Sequence, residues 1–272
     1  LYLFLVISAF GGELDQYRDT ETGWDVYILS QGSTAAKLVP EAGANVMSIV
    51  HRGVEYLHQP EKLSELPGVR YGTPILYPTP NRIKNGRFEF QGQQYVFRDS
   101  PGNHIHGLVK DAKFHVQSIS LTQDKVSVIA AVDFNQQSER GRRFPWHHTF
   151  RIQVTVSHGK VRWDYEVDNH GGDRQLPFGV ALHPYIRYLG PRVDSFLQVP
   201  AKALMESNRQ LPTGELLDLD GHPLDARRPV SLSGYQSDDV FYGMQPESPT
   251  KIDFRGVGRS IKFRGSPELT HL

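Results

Sequence analysis

The sequence predicts an all-β protein, a large antiparallel β-sandwich or barrel. Three observations carry that reading. No window of ten or more residues holds a 3.6-residue apolar period, so no long amphipathic helix is expected. Pro at 18 positions and Gly at 25 punctuate the 272 residues at short intervals. Between them lie short runs rich in β-branched and aromatic residues, several with two-residue alternation. Many short strands at such spacing belong to antiparallel sheets.

Taken in order, Leu1–Phe10 is apolar and carries no initiator Met. It is far shorter than the ~20 residues of a membrane-spanning helix. It reads as a signal-peptide remnant, a first strand or a gene-model artefact. Residues 1–23 are therefore set apart as an N-terminal extension or signal remnant, and 24–272 as one β-sandwich domain. Trp24–Leu29 and Ala36–Pro40 flank Gln31-Gly32 and predict a hairpin. Glu41–Asn45 is a turn before a strand at Val46–Val50, and Glu61–Leu66 suits one helical turn. Phe88–Phe90 and Tyr95–Phe97, separated by a turn at Gln91-Gly92, predict a second hairpin. Lys125–Phe134 is apolar and β-branched. Ile152, Val154 and Val156, then His158-Gly159, then Val161, Trp163, Tyr165 and Val167 form the strongest hairpin pattern in the chain. Leu176–Tyr188 is apolar with prolines at 177 and 184. Further strands are expected at Phe196–Val199, Lys251–Phe254 and Ser260–Phe263.

Charge is balanced, with 30 basic and 30 acidic residues. That removes the electrostatic case for a nucleic-acid partner. No second segment is long and apolar enough to suggest a membrane partner. Cysteine is absent, which excludes disulfides, thiolate metal sites and thiol nucleophiles but fixes no compartment. No Gly-rich phosphate loop follows a strand and opens a helix.

Four places carry chemistry. The first is Asn81-Arg82, delivered by the proline-rich run Tyr71–Ile83, whose prolines hold the backbone stiff and non-helical. The second is Asn103–Val109, where His106 precedes the turn residue Gly107. The third is His183, inside an apolar run and directly before Pro184. An imidazole titrates near ~6.5, which suits acid–base work at neutral pH; alone, His183 reads more readily as a core histidine satisfied by a backbone carbonyl. The fourth is Asp238-Asp239; adjacent residues in a strand point to opposite faces, so one of the two can face a pocket. His104 and His106, two apart, would share a strand face as a metal pair, but no glutamate follows at cupin-type spacing. His147-His148 shows no ligand spacing and reads as structural.

The ordered set Asn81-Arg82, His106-Gly107-Leu108, His183-Pro184-Tyr185 and Asp238-Asp239-Val240-Phe241 resembles the aldose 1-epimerase (galactose mutarotase) family. Phe144–Phe150 and Ser266–Leu272 are similar to family segments, and the likeness runs from about Trp24 to the last residue. It implies a galactose mutarotase-like supersandwich with an open cleft. It implies an isomerase that interconverts the α and β anomers of a free aldohexose such as glucose or galactose, with no cofactor and no metal, as a monomer or homodimer. By the same resemblance His183 is the acid at the ring oxygen and His106 its partner. Arg82 and Asn81 bind sugar hydroxyls, and Asp238, preferred to Asp239, accepts from another. A planar guanidinium can donate two bonds at once to a diol. Tyr77, Tyr185 and Phe241 are candidates to stack on the sugar.

The family's base is a glutamate on a strand after the Ser-Pro-Glu-x-Thr-His-Leu segment, which in this chain ends at Leu272; Glu268 is not that residue. The expectation is a sequence cut short at its C-terminus, with C-terminal strands missing and little activity in the chain as written. Two other readings stand beside the enzyme. One is a non-catalytic carbohydrate-binding module on the same sandwich. The other is a hexose-6-phosphate mutarotase, for which Arg140, Arg142 and Arg143 would supply the basic rim. The compartment is left open: cytoplasmic, or periplasmic or secreted if Leu1–Phe10 belongs to a signal.

Overall fold

The computed structural model describes residues 5–9, 11–97, 102–170 and 174–272. Leu1–Phe4 and Phe10, part of the predicted N-terminal extension, lie outside them. The chain is nearly all β and forms two compact units, Leu1–Arg187 and Tyr188–Leu272.

The first unit opens with a six-stranded antiparallel sheet. Its strands are β1 (Leu5–Ala9), β2 (Gly12–Arg18), β3 (Asp25–Gln31), β4 (Thr34–Val39), β5 (Asn45–His51) and β6 (Val54–Glu55), each paired with the next. The predicted β3–β4 hairpin and the β5 strand are present. The expected helical turn is a single 3-10 turn at Leu63–Glu65. After β7 (Ile75–Leu76) comes the hairpin β8 (Arg87–Phe90) and β9 (Gln93–Val96), paired from Phe90–Gln93 outward. Its turn residues Gln91 and Gly92 both have positive φ, 51° and 73°. This is the turn twist that matches flanking right-twisted strands.

A four-stranded sheet follows: β10 (His115–Leu121), β11 (Lys125–Phe134), β12 (His148–Ser157) and β13 (Lys160–Asn169). In β12, Ile152, Val154 and Val156 are buried and alternate with half-buried polar residues. That is the period the sequence shows, and it aims one face at the core. The two sheets close on a shared core that joins Leu29, Leu38 and Val46 to Val128, Val132, Ile152 and Val154. Each such side chain contributes about 1.5–3 kcal/mol on burial. The hairpin tips also meet: the Gly159 N–H donates to Thr34 Oγ1 at 2.8 Å. Between β11 and β12 lies α1 (Glu139–Arg143), capped by Ser138, whose Oγ accepts from the Gly141 N–H. The apolar run Leu176–Tyr188 contributes only β14 (Ala181–Leu182), paired with β7.

The second unit has two antiparallel sheets. One joins β15 (Ser195–Gln198) to β18 (Val230–Ser231) and β20 (Thr250–Phe254), with β21 (Arg259–Phe263) at its edge. The other joins β16 (Ala203–Asn208) to β17 (Leu211–Leu217) and β19 (Val240–Tyr242). Its core gathers Val199, Ala201, Leu204, Leu219, Ala226 and Phe241.

Candidate functional site

The site in the first unit is arranged around β7. On one side, Leu76 pairs with Ala181 and Ile75 with Leu182, and the Pro74 carbonyl accepts the His183 N–H at 2.9 Å. On the other side, Tyr77 bridges Gly107 in parallel, and its carbonyl accepts the Leu108 N–H at 2.7 Å. One short strand therefore holds the backbones of both histidines. Their rings meet edge to face, with centroids 5.5 Å apart and planes at 66°. Both side chains are half-buried.

Each histidine has its own local cause. His106 has φ 66° and Gly107 φ 64°, two consecutive left-handed residues. A Cβ on residue 107 would lie 2.1 Å from the Tyr77 oxygen, so the crossing admits only glycine. His183 leaves β14 on extended backbone set by Pro184. Its ring stacks on Tyr185, 5.0 Å between centroids and 28° between planes. The Tyr185 hydroxyl donates to the Val69 carbonyl at 2.6 Å, which fixes the ring behind His183.

Asn81 and Arg82 follow Pro80 and are half-buried. Asn81 Oδ1 accepts the Arg82 N–H at 2.7 Å, stiffening the turn that carries the guanidinium. One residue on, Ile83 and His104 exchange both main-chain bonds, at 2.7 and 3.1 Å. The Arg82 segment and the His106 segment are thus tied together twice, through Ile83–His104 and Tyr77–Gly107. Asp238 belongs to the second unit. It is exposed there, and its Oδ2 accepts from Gln210 Nε2 at 2.7 Å, while Asp239 accepts from Ser237 Oγ.

Several sequence expectations need correction. His104 and His106 do not share a strand face. The left-handed φ of His106 breaks the alternation, and the buried His104 ring stacks on Phe97 at 4.0 Å instead. Burial, aided by the nearby positive charge of Arg143, pushes the His104 imidazole down to about 4. Tyr77 and Phe241 are not exposed stacking platforms: both are buried, Tyr77 in the first core and Phe241 in the second. In α1, Arg142 donates to the Gln137 carbonyl at 2.8 Å and Arg143 pairs with Glu139 at 3.7 Å. Those contacts account for two of the three arginines expected at a phosphate rim.

Sequence reasoning missed Tyr77–His148. His148 Nδ1 lies 2.8 Å from the Trp146 carbonyl, which can only accept, so that nitrogen carries the proton. Nε2 is then the acceptor for the Tyr77 hydroxyl, 2.8 Å away. Burial holds the Tyr77 phenol above its usual range and pushes His148 down to about 4. The only signal in the sequence was a histidine at an inward position of an alternating strand.

The aldose 1-epimerase family matches this chain over residues 25–270, and the chain belongs to that family. It is 24% identical over 218 residues to the uncharacterized protein YihR of Escherichia coli K12, a match covering 78% of this chain and 67% of that one. It is 26% identical over 159 residues to the galactose mutarotase of Bos taurus, covering 56% of this chain and 44% of the bovine protein. Among solved structures, a galactose mutarotase-like protein from Clostridium acetobutylicum superposes with a TM-score of 0.81 at 19% identity, over 99% of this chain and 82% of its own. The galactose 1-epimerase of Lactobacillus acidophilus superposes with a TM-score of 0.71 at 15% identity, over 93% and 78%. The likeness to these two structures is one of fold.

Proposed function

We propose that this chain is an aldose 1-epimerase that opens and recloses the ring of a free aldohexose. The observation that supports the reading is the half-buried His106–His183 pair, 5.5 Å between ring centroids, held on the two flanks of one strand. Two imidazoles at that spacing can address one ligand oxygen together. In this reading His183 donates a proton to the ring oxygen as the C1–O bond breaks. His106 shares the hydrogen bonding at that oxygen and moderates the charge that develops there. A positioned acid of this kind supplies about 10²–10⁴-fold. Arg82 binds adjacent hydroxyls through its planar fork, with Asn81 holding its turn. The proton of the anomeric hydroxyl goes to a carboxylate base, which the family resemblance makes a glutamate. After rotation about C1–C2 the same groups act in reverse.

Calorimetry with galactose and glucose, joined to polarimetry on the fresh α anomers, tests this. Hexose binding that His183→Asn and Arg82→Lys weaken supports the reading, and hexose 6-phosphate should compete no better than the free sugar. An absence of hexose binding overturns it. Faster equilibration of the α anomers in the presence of the chain supports it as well.

A further inference from the structure

We propose that Tyr77 and His148 are a positioning pair that fixes the spacing of His106 and His183 through strand β7. The inference rests on the mutarotase reading above and extends it to residues that touch no substrate. The backbone from Pro74 to Pro78 is bonded on both flanks. Pro74, Ile75, Leu76 and Pro78 hold the His183 segment, and Tyr77 holds the His106 segment. Any slide or roll of this strand changes the distance between the two rings.

The strand has two ordered residues of ladder and little grip of its own. Its grip comes from the Tyr77 side chain. The ring lies flat on Phe150, 4.1 Å between centroids and 6° between planes, and Phe134 meets it edge on at 5.8 Å. Stacking of this kind resists lifting but allows sliding in the plane. The hydroxyl bond to His148 Nε2 stops the slide. His148 is itself fixed by its bond to the Trp146 carbonyl and by stacking on Phe134 at 4.3 Å. Both residues are fully buried, so water cannot replace either partner when the bond is cut. The path from the core to the site is short: His148, Tyr77, then one main-chain bond to the residues beside His106.

The test compares the parent chain with Tyr77→Phe, His148→Leu, His148→Gln and the double variant Tyr77→Phe/His148→Leu. Tyr77→Phe keeps the ring stack and removes the bond. His148→Gln keeps an acceptor for the hydroxyl. The first readout is proton cross-relaxation between the His106 and His183 rings by NMR. The second is the calorimetric Kd for hexose. Tyr77→Phe and His148→Leu should each weaken the ring-to-ring cross-peak at least about two-fold. They should raise the calorimetric Kd for hexose about ten-fold, as a misplaced binding group does. The double variant should be no worse than either single one, because the bond is lost once. His148→Gln should retain the cross-peak. A folded Tyr77→Phe with the parent's cross-peak overturns the proposal. Should Tyr77→Phe not fold, equal cross-peaks in His148→Leu and His148→Gln overturn it. A parent that shows the cross-peak but binds no hexose refutes the mutarotase reading alone.

Discussion

Replacing Gly107 by alanine, with Gly92→Ala as its control, isolates the close approach that builds the site. Both glycines are left-handed, at φ 64° and 73°. Both substitutions therefore carry the same conformational cost, about 1–2 kcal/mol for an L residue. The surroundings differ. A Cβ at 92 meets nothing within 4 Å. A Cβ at 107 lies 2.1 Å from the Tyr77 oxygen and 2.4 Å from its carbon, where ordinary contact begins at 3.4 Å. Those are backbone atoms, so no rotamer change relieves the clash. The Tyr77 carbonyl must retreat by about 1 Å and release the Leu108 N–H, leaving buried groups unpaired at a further 1–3 kcal/mol. Gly107→Ala should thus cost about 2–5 kcal/mol and Gly92→Ala about 1–2 kcal/mol. Trp24, Trp146 and Trp163 all lie in the first unit, so tryptophan fluorescence in urea reports that unit. Equal midpoints for the two variants, or unchanged hexose binding by Gly107→Ala, would refute the reasoning.

Three further outcomes are expected. His148 is neutral in the fold and titrates near 4, against about 6.5 in an unfolded chain, so the unfolded state binds more protons between those values. Stability should rise with pH from 4 to 6.5, with about 3 kcal/mol from this residue, and His148→Leu should show a flatter dependence of the urea midpoint on pH. Arg82→Lys should raise the calorimetric Kd for hexose about ten-fold, since a point charge cannot reproduce the fork; an unchanged Kd counts against its role. Tyr185→Phe should loosen His183 and weaken hexose binding without unfolding the chain, seen as a broadened His183 resonance and a raised Kd; an unaltered line and Kd would make the Tyr185–Val69 bond irrelevant to the site.

Where one face of a strand is buried, the sequence shows it. Lys125–Phe134 is β11 to the residue, and from Phe150 onward the inward positions of β12 are the apolar ones. The hairpin at Gln91-Gly92 is legible because its turn demands residues that tolerate positive φ. Strands that bury little are not legible. In β17 the run Leu-Pro-Thr-Gly-Glu-Leu-Leu is exposed at nearly every position and includes both Pro and Gly. In β10 a bulge between Val116 and Ser118 breaks the alternation. At the site, no local pattern joins His106 to His183; only the ordered likeness to a family suggests it. Composition also cannot separate a buried aromatic from a binding platform, which is why Tyr77 reads as a ligand contact until the core is seen to close over it.

The pairing of β7 with β14 has a consequence for how the first unit assembles. Its partners Leu76 and Ala181 lie 105 positions apart, whereas both large sheets are built from strands adjacent in sequence. Local hairpins can zip early, but this rung closes a long loop and must wait for the intervening chain to condense. The histidines should therefore meet late in folding, and a chain halted before that step would look native by its overall strand content while its reactive centre was still apart.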